Sequence, residues 1–314
     1  MTRGSTSLGT KELDSAALQR AFKEAVANKP KALDDLLTRY GGLPGAMNAR
    51  LADAFSDEVV AHKGDVLPLL ARMANDDADA DQQRVFLPIV ATYGFCACLS
   101  ANKLRRSADI ETAWLAIAQL AVDGRLPVRL GTVGALVGLS TKEGGAGVLM
   151  ERAVQWRQDG DRETQFGAAA TVLAVLSHAN VLTAVRDHEA VLEYVSRVIA
   201  LIADAPRSAE RSEARRRALR VLPDTLSVLM ARMARVSGER GAAWLSQECE
   251  HASQPQVREV LSEVIVRLQK DSQGLGRATI EKLRKTLEAS AAPLRDGVFK
   301  RPGTGRGKSS RKIR

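Results

Sequence analysis

Apolar residues recur along this chain at the spacing of one helix face. Leu33, Leu36, Leu37 and Tyr40 stand at i, i+3, i+4 and i+7, and Val257, Val260, Leu261 and Val264 repeat the pattern, which runs on through Ile265 and Leu268. Val191, Leu192, Val195, Val198, Ile199 and Ile202 form a third such stripe. Sustained alternation of apolar and polar residues is missing, as is the Thr, Tyr and Phe enrichment of strands, so the pattern predicts helices throughout. Pro30, Pro44, Pro127, Pro206 and Pro255 each open a new periodic stretch, where the missing N–H costs nothing. Pro88 and Pro223 fall inside apparent helices and predict a bend in each. Gly41-Gly42, Gly124, Gly144-Gly145, Gly160 and Gly238 punctuate the gaps, giving about fourteen helices. Residues 1–10 and 293–314 lack any apolar period and are expected to be disordered.

The helical segments also resemble one another. QRVFLPIVATYG from Gln83, VRLGTVGALVGL from Val128, TQFGAAATVLAVL from Thr164, RRALRVLPDTLSVL from Arg216 and VREVLSEVIVRL from Val257 each open on a polar or basic residue and continue as an apolar helix. Taking Arg84, Arg129, Gln165, Arg216 and Arg258 as equivalent gives steps of 45, 36, 51 and 42 residues. These scatter around the ~40–47 residues of a HEAT or armadillo unit. A helix pair of that length cannot hide its apolar face alone and must stack on its neighbours. VRLGTVGALVGL and PQVREVLSEVIVRL resemble the second helix of HEAT repeats, with Arg129 and Arg258 in the arginine position, and the chain is similar to bacterial HEAT-like proteins related to the DNA-alkylation-repeat group. The resemblance implies an all-α, right-handed solenoid of antiparallel helix pairs over residues 11–292. It also implies a precedent for DNA binding.

Composition supports a foldable chain. Hydrophobic residues make up 45% and aromatics only 4%, so the core is expected to be built from Ala, Leu and Val. The net charge of +9 first suggests a polyanionic partner. Its distribution changes that inference: Lys300, Arg301, Arg306, Lys308, Arg311, Lys312 and Arg314 supply +7, leaving +2 for residues 1–299. The electrostatic case for nucleic acid therefore rests on the basic tail 293–314 and on local patches. Arg207, Arg211, Arg215, Arg216, Arg217 and Arg220 form one such patch, with Arg211, Arg215 and Arg220 expected near one helical face as a phosphate or acidic-protein contact.

Catalytic chemistry finds little support. Gly303–Ser309 approaches a phosphate-binding loop but has three residues between its glycines where four are needed, and no strand precedes it. His188-Glu189 begins like a zinc-protease helix, but Leu192 stands where the second histidine belongs. Cys96 and Cys98 are two apart on a helix and point about 200° apart, so they read as buried free thiols. The run Asp76-Asp77-Ala78-Asp79-Ala80-Asp81 reads as a solvated helix start. The DNA-alkylation-repeat resemblance implies an aromatic and a carboxylate in a basic groove. Trp156 with Arg157 and Asp159 is the local cluster of that type, although packing between helices is the plainer role for Trp156.

No catalytic, cofactor or metal site is expected. MTRGSTSLGTKEL lacks the apolar stretch of a signal peptide, so the expected location is cytoplasmic, without membrane contact. The expected function is a non-enzymatic scaffold holding a protein or peptide partner along its helices. The alternative is nucleic-acid binding through the 207–220 arginines and the tail.

Overall fold

The computed structural model describes residues 15–158, 160–270 and 275–290, with residue 157 described by its backbone alone. Helices take 79% of these residues and no strand occurs among them, against about a third helix in an ordinary globular domain, so the fold is all-α. In chain order the helices are α1 Ser15–Val26, α2 Lys31–Tyr40, α3 Ala49–Ala61, α4 Leu67–Ala74, α5 Phe86–Ser100, α6 Ser107–Ala121 and α7 Leu126–Ser140. They continue as α8 Gly145–Gln158, α9 Arg162–Leu176, α10 Ala179–Ala184, α11 His188–Ala203, α12 Glu213–His251, α13 Pro255–Lys270 and α14 Arg277–Ala289. Short 3-10 turns occupy Gln83–Val85 and Arg207–Arg211.

Burial divides the helices into two kinds. In α11 and α13 every residue of the apolar stripe is buried and the opposite face is wet, as periodicity demands. By contrast α5 and α9 are wrapped on nearly all sides: Phe166 through Leu176 are buried apart from Ala174. The stretch Gln83–Ser100 is long and apolar enough to cross a membrane, but 67% of it is buried inside the protein. Around α5 pack α2, α3, α4, α6 and α7; around α9 pack α6, α7, α8, α10, α11 and α12; and α12 carries α13 and α14. Main packing partners are thus close along the chain.

Small residues permit this closeness. A Cβ on Gly131 of α7 would stand 2.4 Å from Ile89 Cγ2 of α5, so only glycine lets the two helices approach this far. Buried hydroxyls tie further pairs. Thr171 Oγ1 of α9 donates to the Ala121 carbonyl at 2.8 Å, and Thr225 Oγ1 of α12 donates to the Leu173 carbonyl at 2.7 Å. Each satisfies a carbonyl inside the core, where an orphaned acceptor is costly.

Pro88 departs from the expected placement inside a helix. Pro88 is the third residue of α5, directly after the 3-10 turn, where a proline breaks no interior helical bond. Pro223 does lie within α12, yet the one non-helical residue inside that helix is Ser237 (φ −162°, ψ 79°), followed by Gly238, the expected gap residue. Two helical stretches therefore meet there. The acidic run also differs from a solvated helix start. Residues 76–82 form a loop, and the Asp76 carboxylate is nearly buried, accepting from Arg84 Nε at 2.7 Å. Arg84 in turn reaches Asp34, which is buried and held bidentately by Arg72 at 2.9 and 2.7 Å.

Candidate interaction surface

The arginines singled out on 207–220 do not form one face. Arg207 and Arg211 belong to the 3-10 turn and are exposed. Ser212 then starts a new helix, its Oγ accepting from the Arg215 N–H at 2.9 Å. This restart changes the angular phase and turns Arg215 inward. It is buried, and its Nη2 donates to the Ile202 carbonyl at 3.1 Å, closing the end of α11. Arg215 is therefore structural, which corrects its place in the expected patch. Arg216 and Arg220 share one carboxylate, Glu213, at 3.0 and 3.3 Å. Lys300, Arg301, Arg306, Lys308, Arg311, Lys312 and Arg314 lie outside the described residues, as does the expected disorder of residues 1–10 and 293–314.

Arg217 stands apart from these. Its side chain is half-buried and crosses α9, with one guanidinium nitrogen 3.6 Å from where a Cβ on Gly167 would sit. Its Nε is buried without a hydrogen-bond partner. Burial first, and the charges of Arg129 and Arg220 next, pull its pKa below the ordinary arginine value, against the opposing pull of Glu213 and Glu163. Glu163 is itself engaged, accepting from the Ala214 N–H at 3.3 Å. The N-terminal ends of α7 and α12 thus bring Arg129 and Arg220 within electrostatic reach of Arg217, with Glu163 of α9 beside them.

Beside this cluster α7 exposes leucines. Leu126 is 55% and Leu130 62% accessible, one turn apart and flanking Arg129. Val133 and Val137, further along the same helix, are part-buried, and the Tyr93 hydroxyl would meet a Cβ on Gly134 at 2.7 Å. Helical periodicity alone would assign leucines in such an apolar segment to the core. Their exposure follows because the buried face of α7 is already filled by Val128, Gly131, Thr132, Ala135 and Leu136.

Of the Trp156 cluster, the structure describes the Trp156 side chain. Trp156 is buried and stands edge-on to Trp114, with ring centroids 5.8 Å apart. Arg152 covers Trp114 at 5.7 Å and binds Glu111 at 2.8 Å. These contacts account for Trp156 as packing. Asp159 and the side chain of Arg157 lie outside the described residues.

A cleft of about 540 Å³ opens between α8 and the start of α11, with Met150, Val154, Val185 and Tyr194 as its apolar lining. Its charged rim is mixed, carrying Glu143, Glu151, Asp187 and Glu193 with Arg186 and Arg197. Cys96, Cys98 and Cys249 are free and buried, and burial pushes the Cys98 thiol up to about 11 and Cys249 to about 12. All three thiols are held well above the range of a reactive cysteine, Cys96 most of all. Among the described residues no group of three or more His, Cys, Asp or Glu could hold a metal ion. Compared with family models, with curated proteins and with solved structures, the chain matches none of them.

Proposed function

We propose that this chain is a non-catalytic binding protein whose helices stack as antiparallel pairs into a right-handed solenoid and hold a protein or peptide partner. Two observations support the stacking: packing partners lie close along the chain, and Arg129 and Gln165 occupy the same place in α7 and α9, two helices apart. The reading assigns it to the cytoplasm, in keeping with three free thiols.

The single observation that carries the binding function is the exposure of Leu126 and Leu130 beside Arg129. Paired apolar side chains kept in water next to a guanidinium have the composition of an interface anchor, where apolar burial supplies affinity and an arginine supplies direction. The test uses the tagged full chain and Leu126→Ser/Leu130→Ser in extract of the source cells. Proteins enriched by the wild type are identified, purified and titrated directly. The expected result is a defined protein whose affinity falls about tenfold or more in the double variant, with helicity unchanged. Binding that ignores the two substitutions would sink the proposal. So would retention of nucleic acid alone, recognised by its steep loss between low and moderate salt.

A further inference from the structure

With Arg125 and Asp123 neutralising each other in one ion pair, four further guanidinium groups, Arg129, Arg216, Arg217 and Arg220, stand against two carboxylates, Glu163 and Glu213, leaving two positive charges in excess. Glu213 is already divided between Arg216 and Arg220, and Glu163 is bonded to backbone. Arg129 spends Nη1 on the Asp123 and Gly124 carbonyls at 2.6 and 2.7 Å. Arg217 alone of the four has its Nε buried and unbonded. A half-buried guanidinium with an unbonded nitrogen costs folding free energy, and a protein gains from keeping one when an anion arrives to offset that cost.

We propose that Arg217, with Arg129 and Arg220 beside it, forms a site for a phosphate monoester carried on a protein segment. The excess of two charges matches the roughly −2 of a phosphoryl group better than a single carboxylate, and guanidinium forks fit its oxygens bidentately. Leu126 and Leu130, flanking Arg129, give the carrying segment an apolar seat. A nucleic-acid backbone would need a row of free cations at phosphate spacing. Arg207 and Arg211 are exposed on the turn before α12, but Arg125, Arg152, Arg197, Arg240 and Arg267 are bound to carboxylates and do not extend them into such a row. The proposal rests on reading this face as a protein-binding surface.

To test it, the full chain is melted in chloride and in inorganic phosphate at matched ionic strength, beside Arg217→Met and Arg220→Gln. Saturating phosphate is expected to raise the wild-type melting temperature by about 2–4 °C. Arg217→Met is expected to show no rise and, in chloride, to melt above the wild type, because methionine keeps the packing of the stem and removes the half-buried charge with its unbonded Nε. Arg220→Gln should keep wild-type stability and respond more weakly to phosphate. A phosphate response that survives Arg217→Met, or an Arg217→Met protein that melts below the wild type, overturns the site. A phosphoserine peptide and an oligothymidylate of equal charge then separate the carriers. Arg217-dependent binding should favour the peptide, and tighter binding of the oligothymidylate would overturn the assignment to protein. None of these measurements needs the cellular partner, so their failure removes the phosphate site while the leucine anchor is still judged by capture.

Discussion

Arg129 of α7 and Gln165 of α9 do the same work. Each is the fourth residue of its helix, and each side chain turns back to donate to carbonyls of the preceding connection: Arg129 to Asp123 and Gly124, Gln165 to Gln158 and Gly160. Carbonyls at a helix end have no partner within the helix, so a donor from the next helix satisfies them and fixes the angle of the turn. Gln165 replaces arginine without losing the function, though its bonds, at 3.4 and 3.3 Å, are longer than those of Arg129 at 2.6 and 2.7 Å.

A difference in stability should follow. Charge-assisted donors are worth more than neutral ones, so Arg129→Ala should cost about 2 kcal/mol and Gln165→Ala about 1 kcal/mol or less. Denaturant unfolding of the two variants measures this directly. Equal losses, or a larger loss at Gln165, would remove the account.

Glycines on α7 offer an opposed pair. Alanine is the better helix former by about 1 kcal/mol, and a Cβ on Gly138 would meet nothing within 4 Å, so Gly138→Ala should stabilise by roughly 0.5–1 kcal/mol. At Gly131 the same change drives a methyl against Ile89, a fully buried β-branched residue at 2.4 Å. Overpacking of this kind costs about 1–3 kcal/mol, enough to outweigh the propensity gain. Thermal melts of the two variants should therefore move in opposite directions.

Much of the helical framework is legible in the sequence, because burial in α11 and α13 follows period alone: each residue of those stripes is buried. Gly238 likewise marks the place where α12 breaks. The site is less legible. Ser212 restarts the helix after a 3-10 turn, and one capping hydroxyl is enough to swing Arg215 from surface to core. Asp76 reads as a solvated acid because its partner Arg84, and the Asp34–Arg72 pair 38 residues apart that Arg84 joins, are set by tertiary packing. Leu126 and Leu130 look like core until the filled face of α7 is known. Arg217 is visible only as one arginine among six, since what separates it is a half-buried side chain with an unbonded Nε, a property of the fold.

Acid should act on the turn before α7 through Asp123. Its carboxylate is held by the Arg125 side chain, Nε at 2.9 Å and Nη2 at 2.7 Å, and by the Arg125 N–H at 2.7 Å. Burial by itself would raise the pKa, but these hydrogen bonds and the charges of Arg125 and Arg129 outweigh it and hold the group below its ordinary value. A carboxylate depressed on folding contributes stability that is fully present above the unfolded value of about 4 and disappears as pH falls through the lower folded value. Arg125 also donates to the Asp76 and Ala78 carbonyls at 2.8 and 2.9 Å, so loosening Asp123 frees the link from this turn to the loop after α4. Asp123→Asn removes the titration while keeping an acceptor. The melting temperature of the wild type should exceed that of Asp123→Asn by a constant margin above about pH 5, and the margin should close as pH is lowered below about 4. Other carboxylates titrate in both proteins and cancel from the difference. A margin that stays constant down to acid, or widens, would show that the Asp123–Arg125 pair does not carry the acid sensitivity of this turn.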